Sequence, residues 1–161
     1  MRILFLHGLE SPPVSDKSIY LNSEFTASCP AIDYTDETTF DKILNHVKEF
    51  KPDFLIGSSI GGRLAYAISS NTGIPCLLFN PAIHNKYFNY KVEFPIGTVK
   101  FFAQFVLGKF DKLVDPEKTI LHVKENSQLF KKSIISVEKM SHRVPLDIFK
   151  ISINSFITLM F

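Results

Sequence analysis

Short apolar runs and longer amphipathic stretches alternate along the chain. Six apolar runs predict strands, the second of them weakly: residues 3–6, 29–34, 53–56, 74–79, a run within 99–107, and 133–137. Five amphipathic stretches predict helices: residues 15–25, 38–50, 61–70, 116–130 and 145–159. In the second stretch, Phe40, Ile43 and Val47 recur at i, i+3 and i+7, the spacing of one helical face. The pattern therefore predicts alternating strands and helices.

The apolar runs lack the polar alternation of a strand with one face in water. Such strands, separated by helices, are typical of a parallel sheet that helices cover on both sides. We predict an α/β fold, a three-layer α/β/α sandwich with a mostly parallel sheet of about six strands, in a single domain over residues 1–161. Because these sheets place their sites at the carboxyl ends of strands, the residues just after each apolar run are the candidates for chemistry.

The third predicted strand, residues 53–56, is followed by GSSIGG at residues 57–62, and then by a predicted helix. This is G-x-S-x-G in strand–turn–helix context, where a serine hydroxyl projects from a sharp turn and the flanking glycines avoid a collision. Ser59 is the candidate nucleophile, at a helix N-terminus that favours developing negative charge. A phosphate-binding turn is the alternative, but the segment fits neither G-x-x-x-x-G-K-[ST] nor G-x-G-x-x-G.

A nucleophilic serine needs a base and an orienting acid, which follow it in the chain order serine, acid, histidine. Asp111 and Asp115 both follow the strand within residues 99–107. Asp115 precedes Pro116 and is typical of a helix N-cap, so Asp111 is the predicted acid. His142 lies between the last strand and the last helix and is the predicted base. The other four histidines fit this order less well.

Acyl transfer also needs two backbone N–H donors for the oxyanion. One is expected from Ile60, the residue after the nucleophile. The other is expected from Leu9, in the loop after the first strand, where Gly8 allows close approach of the backbone. His7 is expected to brace this loop without titrating in the mechanism. An ordinary strand–helix turn is the alternative interpretation of this loop.

Four segments together resemble the α/β-hydrolase superfamily: residues 6–8 (LHG), 57–62 (GSSIGG), 108–111 (GKFD) and 141–142 (SH). Three more features resemble the small bacterial esterases of the YqiA type: residues 6–12 (LHGLESP), the doubled glycine at 61–62 and residues 79–82 (FNPA). The resemblance covers nearly the whole chain. It implies hydrolysis of carboxylic esters through an acyl-serine intermediate, without a metal or an organic cofactor. It assigns the nucleophile to Ser59, the acid to Asp111 and the base to His142.

A lid in such hydrolases usually follows the strand after the nucleophile's helix, here residues 83–97, and this length predicts a minimal lid. The stretch carries four aromatic residues: Tyr87, Phe88, Tyr90 and Phe94. Either these side chains form an apolar wall for an acyl group, or they cover the edge of the sheet. In the first case Tyr87 and Phe88 bind substrate together with Gly8.

Composition narrows the possible partners. The 18 basic and 16 acidic residues give a net charge of +2, too small to indicate nucleic acid or an anionic membrane. The apolar run at residues 3–6 is too short for a signal peptide, and charged Asp147 and Lys150 interrupt the apolar final stretch. Cys29 and Cys76 are expected to be free thiols in a reducing, cytoplasmic setting.

The motifs together predict a serine hydrolase that acts on a small-molecule carboxylic ester or thioester. An amidase or peptidase that uses the same three residues is an open alternative. So is a binding or regulatory module with the hydrolase fold and no turnover, because fold does not fix function. The sequence leaves the substrate and the oligomeric state open.

Overall fold

The computed structural model describes residues 1–9, 11–84 and 94–160, and strands and helices alternate in them as predicted. The strands are β1 (Arg2–Leu6), β2 (Thr26–Ser28), β3 (Phe54–Ser58), β4 (Cys76–Phe79), β5 (Phe101–Gly108) and β6 (Phe130–Glu138). The helices are α1 (Asp16–Glu24), α2 (Thr39–Phe50), α3 (Ile60–Thr72), α4 (Pro116–Glu125) and α5 (Leu146–Met160), with a 3₁₀ turn at Ser127–Leu129.

The six strands form one sheet in the order β2-β1-β3-β4-β5-β6, and every neighbouring pair is parallel. The predicted α/β class with a sheet of about six strands is therefore confirmed. Because all strands run in the same direction, the loops after β1, β3, β4, β5 and β6 leave the sheet at the same edge. Side chains from distant parts of the sequence can meet there.

Helices cover both faces of the sheet. Successive strand residues point to opposite sides, so Leu4 joins a buried cluster with α2, α3 and α4, whereas Ile3 joins one with α1 and α5. In α5, Phe149, Ile153 and Phe156 are fully buried. Burying each such side chain contributes roughly 1.5–3 kcal/mol, which holds this helix on the sheet. None of the described helices is long and apolar enough to span a bilayer.

The prediction for the second strand is wrong. Strand β2 comprises Thr26–Ser28 and pairs with the start of β1, whereas residues 29–34 form no strand. Pro30 has no backbone N–H to donate to a neighbouring strand. Ile32 and Tyr34 pack instead into the buried cluster on the α2 and α3 side. Burial of these side chains accounts for the apolar character that suggested a strand.

The fourth predicted helix extends too far. Helix α4 ends at Glu125, where the side chain of Asn126 donates a 2.9 Å hydrogen bond to the His122 carbonyl. The same carbonyl accepts the Asn126 backbone N–H at 3.0 Å, so Asn126 closes the last turn of the helix with two hydrogen bonds. Phe130, placed at the helix end by the prediction, begins β6 and packs its ring 5.2 Å from that of Phe101. Strand β6 is therefore longer than the predicted residues 133–137.

Candidate active site

Ser59 lies in a sharp turn between β3 and α3, as the G-x-S-x-G pattern predicts. Its backbone has φ 55° and ψ −121°, which is rare for a residue with a side chain. Its N–H donates to the Phe79 carbonyl at 3.0 Å, and its own carbonyl accepts from the Ala82 N–H at 2.9 Å. These bonds tie the strained turn to the carboxyl end of β4.

Two glycines give this turn the space that it needs. A Cβ on Gly61 would lie 2.1 Å from the Leu6 carbonyl oxygen, and a Cβ on Gly57 would lie 2.5 Å from the Gly61 oxygen. Real Cβ atoms do not approach other atoms so closely, so the first turn of α3 packs against the end of β1 only because these side chains are absent. The sequence pattern thus has a steric cause.

His142 hydrogen-bonds both Ser59 and Asp111. Its Nε2 lies 2.9 Å from Ser59 Oγ, and its Nδ1 lies 2.7 Å from Asp111 Oδ2. The three residues come from the loops after β3, β5 and β6, which the parallel sheet brings to one edge. In this arrangement a histidine can take a hydroxyl proton while a carboxylate orients the histidine. The structure thus brings together the three residues that the sequence singled out.

The hydrogen bonds around Asp111 favour its charged form. Its Oδ1 accepts hydrogen bonds from the backbone N–H groups of Leu113 at 2.8 Å and Val114 at 2.9 Å. Burial alone would raise the pKa of Asp111, but the hydrogen bonds from His142, Val114 and Leu113 outweigh burial and lower this pKa. Asp111 is therefore ionised at neutral pH and can stabilise a positively charged imidazole.

Asp115, the alternative acid, has a different partner. Its Oδ1 accepts a 2.9 Å hydrogen bond from the Glu117 N–H, and Pro116 occupies the first position of α4. This is the N-cap arrangement that the sequence predicted. Asp111, and not Asp115, therefore lies against His142.

The loop after β1 passes close to the nucleophile. A Cβ on Gly8 would lie 3.4 Å from Ser59 Cβ, in ordinary van der Waals contact, so a side chain here would fill the space beside the serine. His7 braces the loop, as predicted: its Nδ1 donates to the Gly8 carbonyl at 2.7 Å, and its own carbonyl accepts from the Tyr34 hydroxyl. These two hydrogen bonds hold the loop beside Ser59.

Leu9 and Ile60, the predicted oxyanion donors, both adjoin the nucleophile. Leu9 lines a cavity that also contains Ser59. Ile60 is the first residue of α3, so its N–H is one of the groups at a helix start that have no partner within the helix. The role of the two N–H groups as oxyanion donors stays a prediction.

The sequence analysis missed Asn80 as a part of this site. Its Nδ2 donates to the backbone carbonyls of Ser141 at 3.2 Å and His142 at 2.9 Å, and its Oδ1 accepts from the Gly108 N–H at 2.7 Å. Asn80 is buried and has φ 42°, a left-handed conformation that asparagine tolerates better than most residues. An asparagine directly after β4 was visible in the sequence, but only the fold reveals its partners.

The other histidines of α2, α4 and the loop after β4 have different partners. His46 Nε2 lies 2.8 Å from Ser28 Oγ, and His122 Nε2 lies 3.0 Å from the Tyr66 hydroxyl. The rings of His84 and His122 are 4.6 Å apart between centroids. Burial, followed by the effect of His84, lowers the pKa of His122 to about 4. These residues belong to packing contacts and not to the Ser59 hydrogen-bond series.

The predicted aromatic wall can be assessed at Phe94 alone. Three of its residues lie outside the described part of the chain: Tyr87, Phe88 and Tyr90. Phe94 is 5% exposed, belongs to the buried cluster of α3 and has the Arg63 guanidinium 5.7 Å from its ring centroid. Phe94 therefore packs into the core and does not line the cavity beside Ser59.

A cavity of about 680 Å³ opens beside Ser59 and His142. Its size is within the range of sites for small molecules. Its lining includes the backbone at Gly8 and the apolar side chains of Leu113 and Val144. The cavity therefore offers a small molecule access to Ser59 and His142.

A protein-family model matches the first part of the chain. Residues 2–93 match the model of an uncharacterised protein family, UPF0227. The matched segment contains β1 to β4 and Ser59, whereas Asp111 and His142 lie beyond it. No curated protein sequence matches this chain.

Solved structures share the fold at low sequence identity. A protein from Xanthomonas campestris, assigned to the hydrolases of the alpha/beta superfamily, has a TM-score of 0.72 and 18% identity over 98% of this chain and 95% of its own. An esterase of Pyrococcus furiosus has a TM-score of 0.70 and 16% identity over 98% of this chain and 79% of its own. An alpha/beta hydrolase from a Moroccan lagoon metagenome has a TM-score of 0.69 and 16% identity over 99% of this chain and 92% of its own. The chain belongs to the UPF0227 family, the YqiA-like family, and has the α/β-hydrolase fold.

Proposed function

We propose that this protein is a serine hydrolase that cleaves small carboxylic esters or thioesters through an acyl-serine intermediate. The observation that carries the proposal is the hydrogen-bonded series from Asp111 through His142 to Ser59, with the serine in a strained turn beside a cavity. The donor and acceptor atoms follow the order that activates a hydroxyl. One of the proteins with a similar fold is an esterase, which agrees with this chemistry.

The first half-reaction transfers the acyl group to the protein. Ser59 Oγ attacks the carbonyl carbon of the ester while His142 Nε2 takes the hydroxyl proton. The N–H groups of Leu9 and Ile60 stabilise the oxyanion of the tetrahedral intermediate. The bond from carbon to the alcohol oxygen, or to the thiol sulfur, then breaks, and His142 returns the proton to the leaving group.

The second half-reaction releases the acid. A water molecule gives a proton to His142 Nε2 and attacks the carbonyl carbon of the acyl-serine. The bond from carbon to Ser59 Oγ breaks, and His142 returns the proton to the serine oxygen. Through both steps Asp111 orients the imidazole and stabilises its charged form.

The decisive test measures the intact mass of the protein after exposure to an alkyl fluorophosphonate. An activated serine displaces fluoride from phosphorus and gains one phosphonyl group, without any choice of substrate. We expect one adduct on the wild type and none on Ser59→Ala. Ser58→Ala is the matched control, because Ser58 lines the same cavity as Ser59. It should still form the adduct.

A panel of esters, thioesters and amides then identifies the bond that is cleaved. Turnover of esters or thioesters by the wild type, lost in Ser59→Ala, supports the proposal. Turnover of amides alone would make the protein an amidase or peptidase with the same residues. A folded wild type without adduct would overturn the proposal in favour of a binding module.

The free thiols of Cys29 and Cys76 agree with a reducing, cytoplasmic setting for the enzyme.

A further inference from the structure

Basic side chains gather at the cavity beside the nucleophile. Lys17 comes from the first turn of α1, Lys112 from the loop that carries the acid, and Arg143 from the loop that carries the base. Asp16 is the one acidic residue among the described residues that line the cavity. Since the whole chain has a net charge of only +2, the three cations make a local positive excess.

These three cations have no carboxylate partner among the described residues. No described carboxylate oxygen lies within 4.0 Å of any of their charged groups. Asp16, the acidic residue of the lining, uses its Oδ1 to accept a 2.8 Å hydrogen bond from the backbone N–H of Lys17. Among the described residues, the positive charge of the cavity lining is thus not neutralised by ion pairs.

Lys17 is the most buried of the three cations. Its side chain is half-buried, with Nζ 5.7 Å from the ring centroid of the buried Phe149. The pKa of Lys17 is lowered from its ordinary value. Burial is the main cause, Asp16 opposes it, and Arg143 lowers this pKa further. A partly desolvated ammonium next to a second cation has unfavourable electrostatic energy, which a bound anion would offset.

We propose that the cavity accepts an ester that itself carries a negative charge, and that Lys17, Lys112 and Arg143 bind its anionic oxygens. This inference rests on the ester hydrolysis proposed above and adds the substrate class. Arginine and lysine are the side chains that bind carboxylate and phosphate groups, arginine with two parallel hydrogen bonds. Leu113 and Val144 leave an apolar part of the lining for the hydrocarbon of the same substrate.

The test compares three esters of equal chain length. The 4-carbamoylphenyl hexanoate is neutral, 4-carboxyphenyl hexanoate carries its charge on the leaving group, and the mono(4-carbamoylphenyl) ester of adipic acid carries it on the acyl group. We expect kcat/KM to be about tenfold higher for one of the anionic esters than for the neutral one, as for a hydrogen bond between charged groups. The ester that gains shows which side of the scissile bond meets the cations. Added salt should reduce the advantage.

Variants of the charged cavity residues test which side chains produce the preference for an anionic ester. Lys17→Gln and Arg143→Gln should each lower the ratio of kcat/KM between the anionic and the neutral ester. Asp16→Asn should raise this ratio, because it removes the opposing charge. Lys124→Gln is the control, since Lys124 is an exposed residue of α4 outside the cavity lining, and it should leave the ratio unchanged. The ratio does not depend on how much of a sample is folded, because the same sample hydrolyses both esters.

The possible failures are distinguishable. Equal kcat/KM for neutral and anionic esters would overturn the inference and leave ester hydrolysis standing. An anionic preference that survives in Lys17→Gln and Arg143→Gln would overturn the assignment of these residues. A protein that hydrolyses none of the three esters and forms no fluorophosphonate adduct would overturn the inference together with the proposed function.

Discussion

The side-chain amide of Asn80 donates a 2.9 Å hydrogen bond to the backbone carbonyl of His142. The partners are 62 positions apart in the chain, and the bond joins the loop after β4 to the loop after β6. Because His142 contacts both Ser59 and Asp111, the position of its backbone sets the geometry of the whole series. Asn80 is therefore a positioning residue for the proposed base.

Asn80→Asp keeps the shape of the side chain but directs a carboxylate oxygen at two carbonyl oxygens. We expect kcat to fall by up to about 10²-fold, because small displacements of catalytic groups have effects of this size, while KM changes far less. Steady-state kinetics on one ester measure both quantities. Asn126→Asp is the control, since the Asn126 amide also donates to a backbone carbonyl but at the end of α4. Equal losses of kcat in the two variants would contradict the positioning role.

Asp111→Asn separates the two candidate acids. We expect kcat to fall on the order of 10⁴-fold, because asparagine favours the wrong tautomer of His142. Asp115→Ala removes only a helix cap, so it should lower the free energy of unfolding by about 1 kcal/mol and retain turnover. Kinetics and urea unfolding of both variants test this pair. Wild-type turnover by Asp111→Asn would exclude Asp111 as the acid.

Two glycine substitutions should separate an effect on stability from an effect on activity. Gly61→Ala puts a Cβ 2.1 Å from a backbone oxygen. We expect it to lower the free energy of unfolding by about 3 kcal/mol or more. Gly8→Ala puts a Cβ 3.4 Å from Ser59 Cβ. It should leave stability nearly unchanged and reduce turnover, because the methyl group lies beside the nucleophile. Urea unfolding and kinetics separate these outcomes, and a fully stable Gly61→Ala would contradict the steric argument.

His122 should make the folded protein sensitive to acid. Its pKa of about 4 in the folded state lies below the value of about 6.5 expected in the unfolded state. Between these values the unfolded state binds more protons, so stability rises with pH across this window and falls on acidification. His122→Gln removes this titration and should flatten the dependence of the melting temperature between pH 6.5 and 4. Parallel curves for the variant and the wild type would contradict the assignment of this pH dependence to His122.

The sequence by itself determined the parallel sheet and the three residues of the proposed triad. Unbroken apolar runs between helices specify strands buried on both faces, and loops after parallel strands must leave one edge. Ser59, Asp111 and His142 each follow such a strand, so their chain order was enough to predict that they meet. The glycines at 57 and 61 were readable for the same reason, because a sharp strand–helix turn restricts the residue types that fit.

The tertiary structure alone decided the contacts that no local pattern encodes. The true second strand is Thr26–Ser28, because pairing with β1 and not apolar character defines an edge strand. The bonds of Asn80 and the support of His7 by Tyr34 join positions 27 to 62 residues apart. Likewise Lys17 and Arg143 become neighbours at one cavity only once the chain is folded. Local sequence fixes the elements and their order, whereas these partners depend on how loops from different strands pack at the edge of the sheet.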